Sequence, residues 1–82
     1  MAFCEEIIRD QRKELKKAHN KRFFIDDMEY KLDYEGGFAE GFGIYRRPVG
    51  ARNFKYVIGF SAYKFRTKEQ VISFAKSVIK NI

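Results

Sequence analysis

Strict alternation of apolar and charged residues over 28–34 is the feature that most constrains the fold. Glu29, Lys31 and Asp33 separate four apolar residues at the even positions of this segment. A period of two is typical of a strand with one buried and one exposed face. Such a strand requires neighbouring strands and a second layer that covers its apolar side.

Two more strands are predicted, over 38–46 and 54–65. The pair Gly36-Gly37 predicts a tight turn before the first of them, and Pro48-Val49-Gly50 predicts a longer loop before the second. Phe65 interrupts the alternation, so a bulge is expected near residues 62–64. The long last strand is predicted to place its even-numbered residues on the core face: Phe54, Tyr56, Ile58, Phe60 and Ala62.

A helix is predicted at each end of the chain. Apolar residues recur at helical spacing from residue 3 to about 19. A second amphipathic pattern follows Thr67, which forms a capping-box sequence with Gln70. The conformation of residues 23–25 is left open. The expected fold is therefore α+β: one domain over residues 1–82, with a three-stranded antiparallel meander and both terminal helices on one face.

Composition excludes several classes of protein. The hydrophobic content of 45% and aromatic content of 17% exclude a disordered tail. No apolar run approaches the roughly 18–20 residues that span a bilayer. The one cysteine, Cys4, excludes an internal disulfide, and a cytoplasmic location is expected.

The sequence gives little support for catalysis. His19, the only histidine, lies among basic residues at the end of the first predicted helix, and Cys4 lies on that helix's apolar stripe. No nucleophile has an evident general base. We therefore expect no enzymatic activity, no metal site and no cofactor.

The basic hairpin is the main functional signal. Residues 45–56 contain four cations and no carboxylate, and a second basic group precedes the last helix, whose free amides also favour an anion. Arginine and lysine side chains bind phosphates, and flanking tyrosines can stack. The residues expected to contact nucleic acid or a partner are Tyr45, Arg46, Arg47, Arg52, Lys55, Tyr63, Lys64, Arg66 and Lys68.

Two functions are compatible with these residues. The first is a non-catalytic module that binds DNA or RNA through the hairpin 46–55 and the start of the last helix. The alternative is a regulator or inhibitor of a nucleic-acid-handling enzyme, by analogy of size and character with phage anti-defence proteins such as anti-CRISPR proteins. That inhibitor would also use an acidic surface from segment 26–40: Asp26, Asp27, Asp33 and Glu35.

The face of the sheet opposite the helices is a further expected contact surface. Gly41, Gly43 and Gly59 are predicted to lie there, where the lack of side chains allows a ring or another backbone to approach closely. A homodimer through this face is one expectation, and contact with nucleic acid or a protein is another.

Overall fold

The structure, a computed structural model, describes residues 12–36 and 40–82. The first helix, α1, is described over 12–16, while its predicted part over 3–11 and Cys4 lie outside the described residues. The elements that follow are β1 (Arg22–Ile25), β2 (Met28–Glu35), β3 (Gly41–Pro48), β4 (Lys55–Ser61) and α2 (Lys68–Lys80).

The four strands form one antiparallel sheet in the order β1-β2-β3-β4. This confirms the α+β class, but the prediction of three strands is wrong. Residues 23–25, which the sequence leaves open, belong to β1, and Ile25 pairs with Met28 across a two-residue turn. Asp26 in that turn has φ of 53°, a left-handed conformation that aspartate tolerates better than most residues.

The core lies between the helices and one face of the sheet. The apolar residues of β2 contribute to it as the alternation predicts, with Leu32 fully buried. Leu32 is paired with Ile44 on β3, which is equally buried. The buried apolar residues are Leu15, Ala18, Phe23, Tyr30, Leu32, Phe42, Ile44, Ala62, Phe65, Val71, Ala75 and Ile79.

A β-bulge divides β4 into two parts. Ile44 of β3 pairs with Ile58, but the next residue, Tyr45, pairs with Tyr56, so Val57 is an extra residue on β4. The prediction that Phe54 and Tyr56 share the core face with Ile58 is therefore wrong. The bulge that was expected near 62–64 lies instead opposite Ile44 and Tyr45, and β4 ends at Ser61.

The start of α2 forms as the sequence predicts. The Thr67 side chain accepts a hydrogen bond from the Gln70 amide, and the Gln70 side chain accepts from the Thr67 amide, which completes the capping box. Glu14 of α1 also accepts from the Lys68 amide at 3.2 Å. This bond holds the pKa of Glu14 below its ordinary value, and the nearby Lys17 ammonium acts in the same direction.

Candidate functional site

Three cations of the predicted hairpin are exposed where β3 turns back into β4. Arg46 and Lys55 are paired across the two strands, and Arg52 lies in the connecting loop. Within residues 12–36 and 40–82, none of the three forms an ion pair with a carboxylate. Their charges are therefore accessible to an anionic partner in solution.

Arg47, the fourth cation of the hairpin, is bound within the protein. Its Nε donates to Glu29 Oε1 at 2.8 Å, while Nη1 of Arg22 donates to Glu29 Oε2 at 2.6 Å. Glu29 is only 8% exposed, and a carboxylate that has lost most of its water needs such partners. Arg47 also donates to the backbone carbonyl of Arg52 at 3.1 Å. Its first role is therefore to join neighbouring strands.

The Glu29 bridge makes stability depend on pH. The hydrogen bond from Arg47 holds the pKa of Glu29 below its ordinary value, and the bond from Arg22 adds to this effect, while burial opposes it. A lowered folded-state pKa contributes stability that is present above the ordinary pKa and is lost as pH falls through the folded-state pKa.

We expect Glu29→Gln to lower the melting temperature at pH 7, because the variant loses the charge that binds both guanidinium groups. At pH 3, which is below the ordinary pKa of glutamate, the difference from the parent should narrow, because the parent loses part of the stability that ionised Glu29 contributes. Thermal unfolding of both proteins, followed by circular dichroism at each pH, measures this difference. An equal difference at the two pH values would contradict the role given to Glu29.

Phe54 lies at the centre of a cluster of cations on the outer face, the face of the sheet opposite the core. The guanidinium carbon of Arg47 is 4.1 Å from the ring centroid, and Lys31 Nζ is 4.6 Å from it. The Arg22 guanidinium lies 5.0 Å from the same centroid. The three cations and the single carboxylate of Glu29 leave this half of the outer face net positive.

Two tyrosines lie next to this cluster on the same face. The rings of Tyr45 and Tyr56 meet edge to face, with centroids 5.4 Å apart. The Tyr45 hydroxyl donates to Glu35 Oε1 at 3.0 Å, and this bond raises the pKa of Tyr45. Tyr56 remains 59% exposed, so the pair presents one anchored ring and one accessible ring.

Glycines make room for this pair. A Cβ added at Gly43 would lie 2.6 Å from Glu35 Oε1 and 3.0 Å from the Tyr45 ring. A Cβ added at Gly59 would lie 2.6 Å from the Tyr56 hydroxyl. The close approach expected over these glycines is therefore made by tyrosines of the chain itself.

The second predicted basic group lies at the other end of β4. Lys64, Arg66 and Lys68 follow a strand of seven residues, which spans about 20 Å. Lys64 Nζ lies over the Phe74 ring, 4.3 Å from its centroid. These cations and the hairpin therefore do not form a single patch.

The backbone amides before and at the start of α2 are already in use. Amides of Arg66 and Thr67 donate to the Gln70 side chain, and the Lys68 amide donates to Glu14. The amide of Gln70 donates to the Thr67 hydroxyl. An internal carboxylate thus occupies the place where an external anion was expected. Tyr63, which is 74% exposed, also lies at this end, in the segment after β4.

The acidic residues that an inhibitor was expected to use are divided between the two ends of the sheet. Asp26 and Asp27 lie beside the basic hairpin, because the Val49 amide donates to the Asp27 carbonyl at 2.8 Å. Asp33 and Glu35 lie on the outer face at the far end, opposite Gly43 and Gly41. The outer face is therefore basic near the hairpin and acidic at its other end.

Lys31, Phe54 and Tyr56 are the surface residues that sequence reasoning missed or misplaced. The alternation of 28–34 predicts for Lys31 only an exposed polar position, and the even-numbered pattern of 54–62 predicts Phe54 and Tyr56 on the core face. The bulge that turns them outward occurs at Val57, within three consecutive apolar residues, 56–58, that break the alternation. The sequence does indicate that this end of the sheet is basic, because residues 45–56 contain four cations and no carboxylate.

Comparisons with protein-family models, curated proteins and solved structures give no match for this chain. Across residues 12–36 and 40–82, no group of three or more His, Cys, Asp or Glu side chains is placed to hold a metal ion. In the same ranges, no helix is long and apolar enough to cross a membrane.

Proposed function

We propose that the protein is a non-catalytic module that binds nucleic acid with the hairpin end of its sheet. The observation that carries the proposal is the group of three exposed cations, Arg46, Arg52 and Lys55, with no carboxylate partner in the described ranges. Exposed arginine and lysine side chains on a rigid element bind phosphate oxygens and release counterions from the nucleic acid.

The arrangement of the hairpin supports this use of the three cations. β3 and β4 hold Arg46 and Lys55 side by side in register. Arg47 fixes the loop through its bond to the Arg52 carbonyl. A preorganised set of cations loses less conformational entropy on binding than the same cations on a flexible tail.

Removal of the three cations should abolish most of the binding. Fluorescence anisotropy with labelled single-stranded DNA, single-stranded RNA and duplex DNA would be measured from 50 to 200 mM salt. For three phosphate contacts, parental duplex affinity should fall about 40-fold over this range. The variant Arg46→Ala/Arg52→Ala/Lys55→Ala should bind more than about 10-fold more weakly, with a salt slope smaller by about 3.

A variant with the same change in net charge provides the control. Lys13, Lys76 and Lys80 are exposed and belong to the helix layer, so replacing all three with alanine should change affinity far less. The proposal is wrong if the parent binds no labelled nucleic acid at 50 mM salt. It is also wrong if both triple variants weaken binding equally.

A protein partner is the second candidate function, and a specific surface favours it. Phe24 is 65% exposed and Val49 is 58% exposed at the hairpin end, where Asp26 and Asp27 also lie. Exposed apolar side chains among charges of both signs are typical of protein interfaces. Under this alternative, the hairpin docks onto a nucleic-acid-handling enzyme. The parent protein would then bind none of the labelled nucleic acids, and the double variant Phe24→Ser/Val49→Ser would weaken the complex with the enzyme.

A further inference from the structure

The outer face offers an aromatic ring beside a positive cluster. Tyr56 is 59% exposed, and its neighbour Tyr45 holds it from the side with ring centroids 5.4 Å apart. Lys31 Nζ lies 5.5 Å from the Tyr45 centroid and 4.6 Å from the Phe54 centroid. Lys31 lies two strands from Tyr56, with Tyr45 between them, and the cation next to Tyr56 in the sequence is Lys55.

The edge position of β4 joins this face to the hairpin cations. Among the strands of residues 12–36 and 40–82, β4 pairs with β3 alone and forms one edge of the sheet. Lys55 and Tyr56 are consecutive residues on this edge, so their side chains leave the strand on opposite faces, and a chain that lies against the open edge can reach both. Its phosphates would meet Lys55 and Arg52, and its base would lie on Tyr56.

We propose that the nucleic acid bound by this protein is single-stranded, with an unpaired base stacked on Tyr56 and its phosphates held by Lys55 and Arg52. This inference rests on the proposed function and names its substrate class. Stacking on an exposed aromatic side chain requires a base with a free face, which single strands provide and a continuous duplex does not.

The surroundings of the site disfavour a duplex. The carbonyl of Asp27 accepts from the Val49 amide at 2.8 Å, so the β1–β2 turn lies beside the hairpin tip. The carboxylates of Asp26 and Asp27 would meet the second row of phosphates if the hairpin entered a groove. At the far end of the outer face, Asp33 and Glu35 would repel further phosphates and so limit the site to a few nucleotides.

The test compares fluorescein-labelled dT12 and rU12 with a labelled 12-base-pair DNA duplex at 150 mM salt. We expect at least one single strand to bind 10-fold more tightly than the duplex. Tyr56→Leu should weaken that binding by about 5- to 150-fold, the contribution of one stacked base, and should leave duplex affinity unchanged. Tyr56→Phe keeps the ring and should remain within about two-fold of the parent.

Tyr63→Leu is the matched control, because Tyr63 is 74% exposed but follows the far end of β4. Its affinity for the single strand should equal that of the parent. Binding to the duplex as tight as to both single strands would overturn the inference, as would an unchanged affinity in Tyr56→Leu. In either case the proposed function would stand if the hairpin triple variant still lost binding. If none of the three nucleic acids bound, both proposals would fail.

Discussion

Phe42→Ala is expected to lower the free energy of unfolding by about 3–5 kcal/mol, which for a domain of this size corresponds to a fall in melting temperature of more than about 12 °C. Phe42 is 2% exposed and lies at the centre of the core. Its ring packs against Tyr34 at 5.4 Å and against Phe60 at 5.8 Å between centroids. Alanine would leave a cavity lined by these rings, which the sheet cannot close because both are fixed by strand pairing.

Urea denaturation followed by circular dichroism would measure the effect of Phe42→Ala. Phe24→Ala is the matched control, since it removes the same atoms from a side chain that is 65% exposed. We expect the control to change stability by no more than about 0.5 kcal/mol. Similar losses in the two variants would show that the core does not lie where the structure places it.

Gly41→Ala is expected to lower the free energy of unfolding by about 2–3 kcal/mol, an unusually large effect for one added methyl group. A Cβ at Gly41 would lie 2.6 Å from the backbone carbonyl oxygen of Phe60. Gly41 and Ser61 are paired in the sheet, so the clash can be relieved only by moving one strand away from the other. That movement would also strain the packing of Phe42 next to it.

Gly59→Ala provides the comparison for Gly41→Ala. Its new Cβ would also meet an atom at 2.6 Å, but that atom is the hydroxyl of Tyr56, at the end of an exposed side chain. The nearest backbone atom, the carbonyl oxygen of Phe42, would lie at 3.3 Å and needs only a slight shift. The Tyr56 ring can move aside, so we expect the free energy of unfolding to fall by less than about 1 kcal/mol. Chemical denaturation would measure the free energy of unfolding of both variants. A decrease for Gly59→Ala as large as that for Gly41→Ala would refute this explanation.

Much of the fold could be predicted because its signals are local in the sequence. The alternation of 28–34 gives β2, and the capping box of Thr67 and Gln70 gives the start of α2. β1 could not be assigned in the same way, because four residues are too few to establish a period. Its turn contains Asp26-Asp27 instead of the Asn-Gly or Asp-Gly pair that usually marks a two-residue hairpin.

The candidate site was less predictable because it depends on which strands are neighbours. Nothing near Arg47 in the sequence indicates that its partner is Glu29, which lies 18 positions earlier. The carboxylate reaches Arg22 and Arg47 only because β2 lies between β1 and β3. Similarly, the Lys68 amide is occupied by Glu14 from 54 positions away.

The bulge at Val57 also determines where the chain can change length. Val57 is the extra residue between the pairs Ile44–Ile58 and Tyr45–Tyr56. A deletion of Val57 would convert β4 into a regular strand and keep Tyr56 on the outer face and Ile58 on the face that carries Ile44. Loss of Gly59 instead would move Ile58 into the register position opposite Gly43, on the outer face of the sheet. Val57 is therefore a position in β4 at which the loss of one residue leaves both faces of the sheet intact.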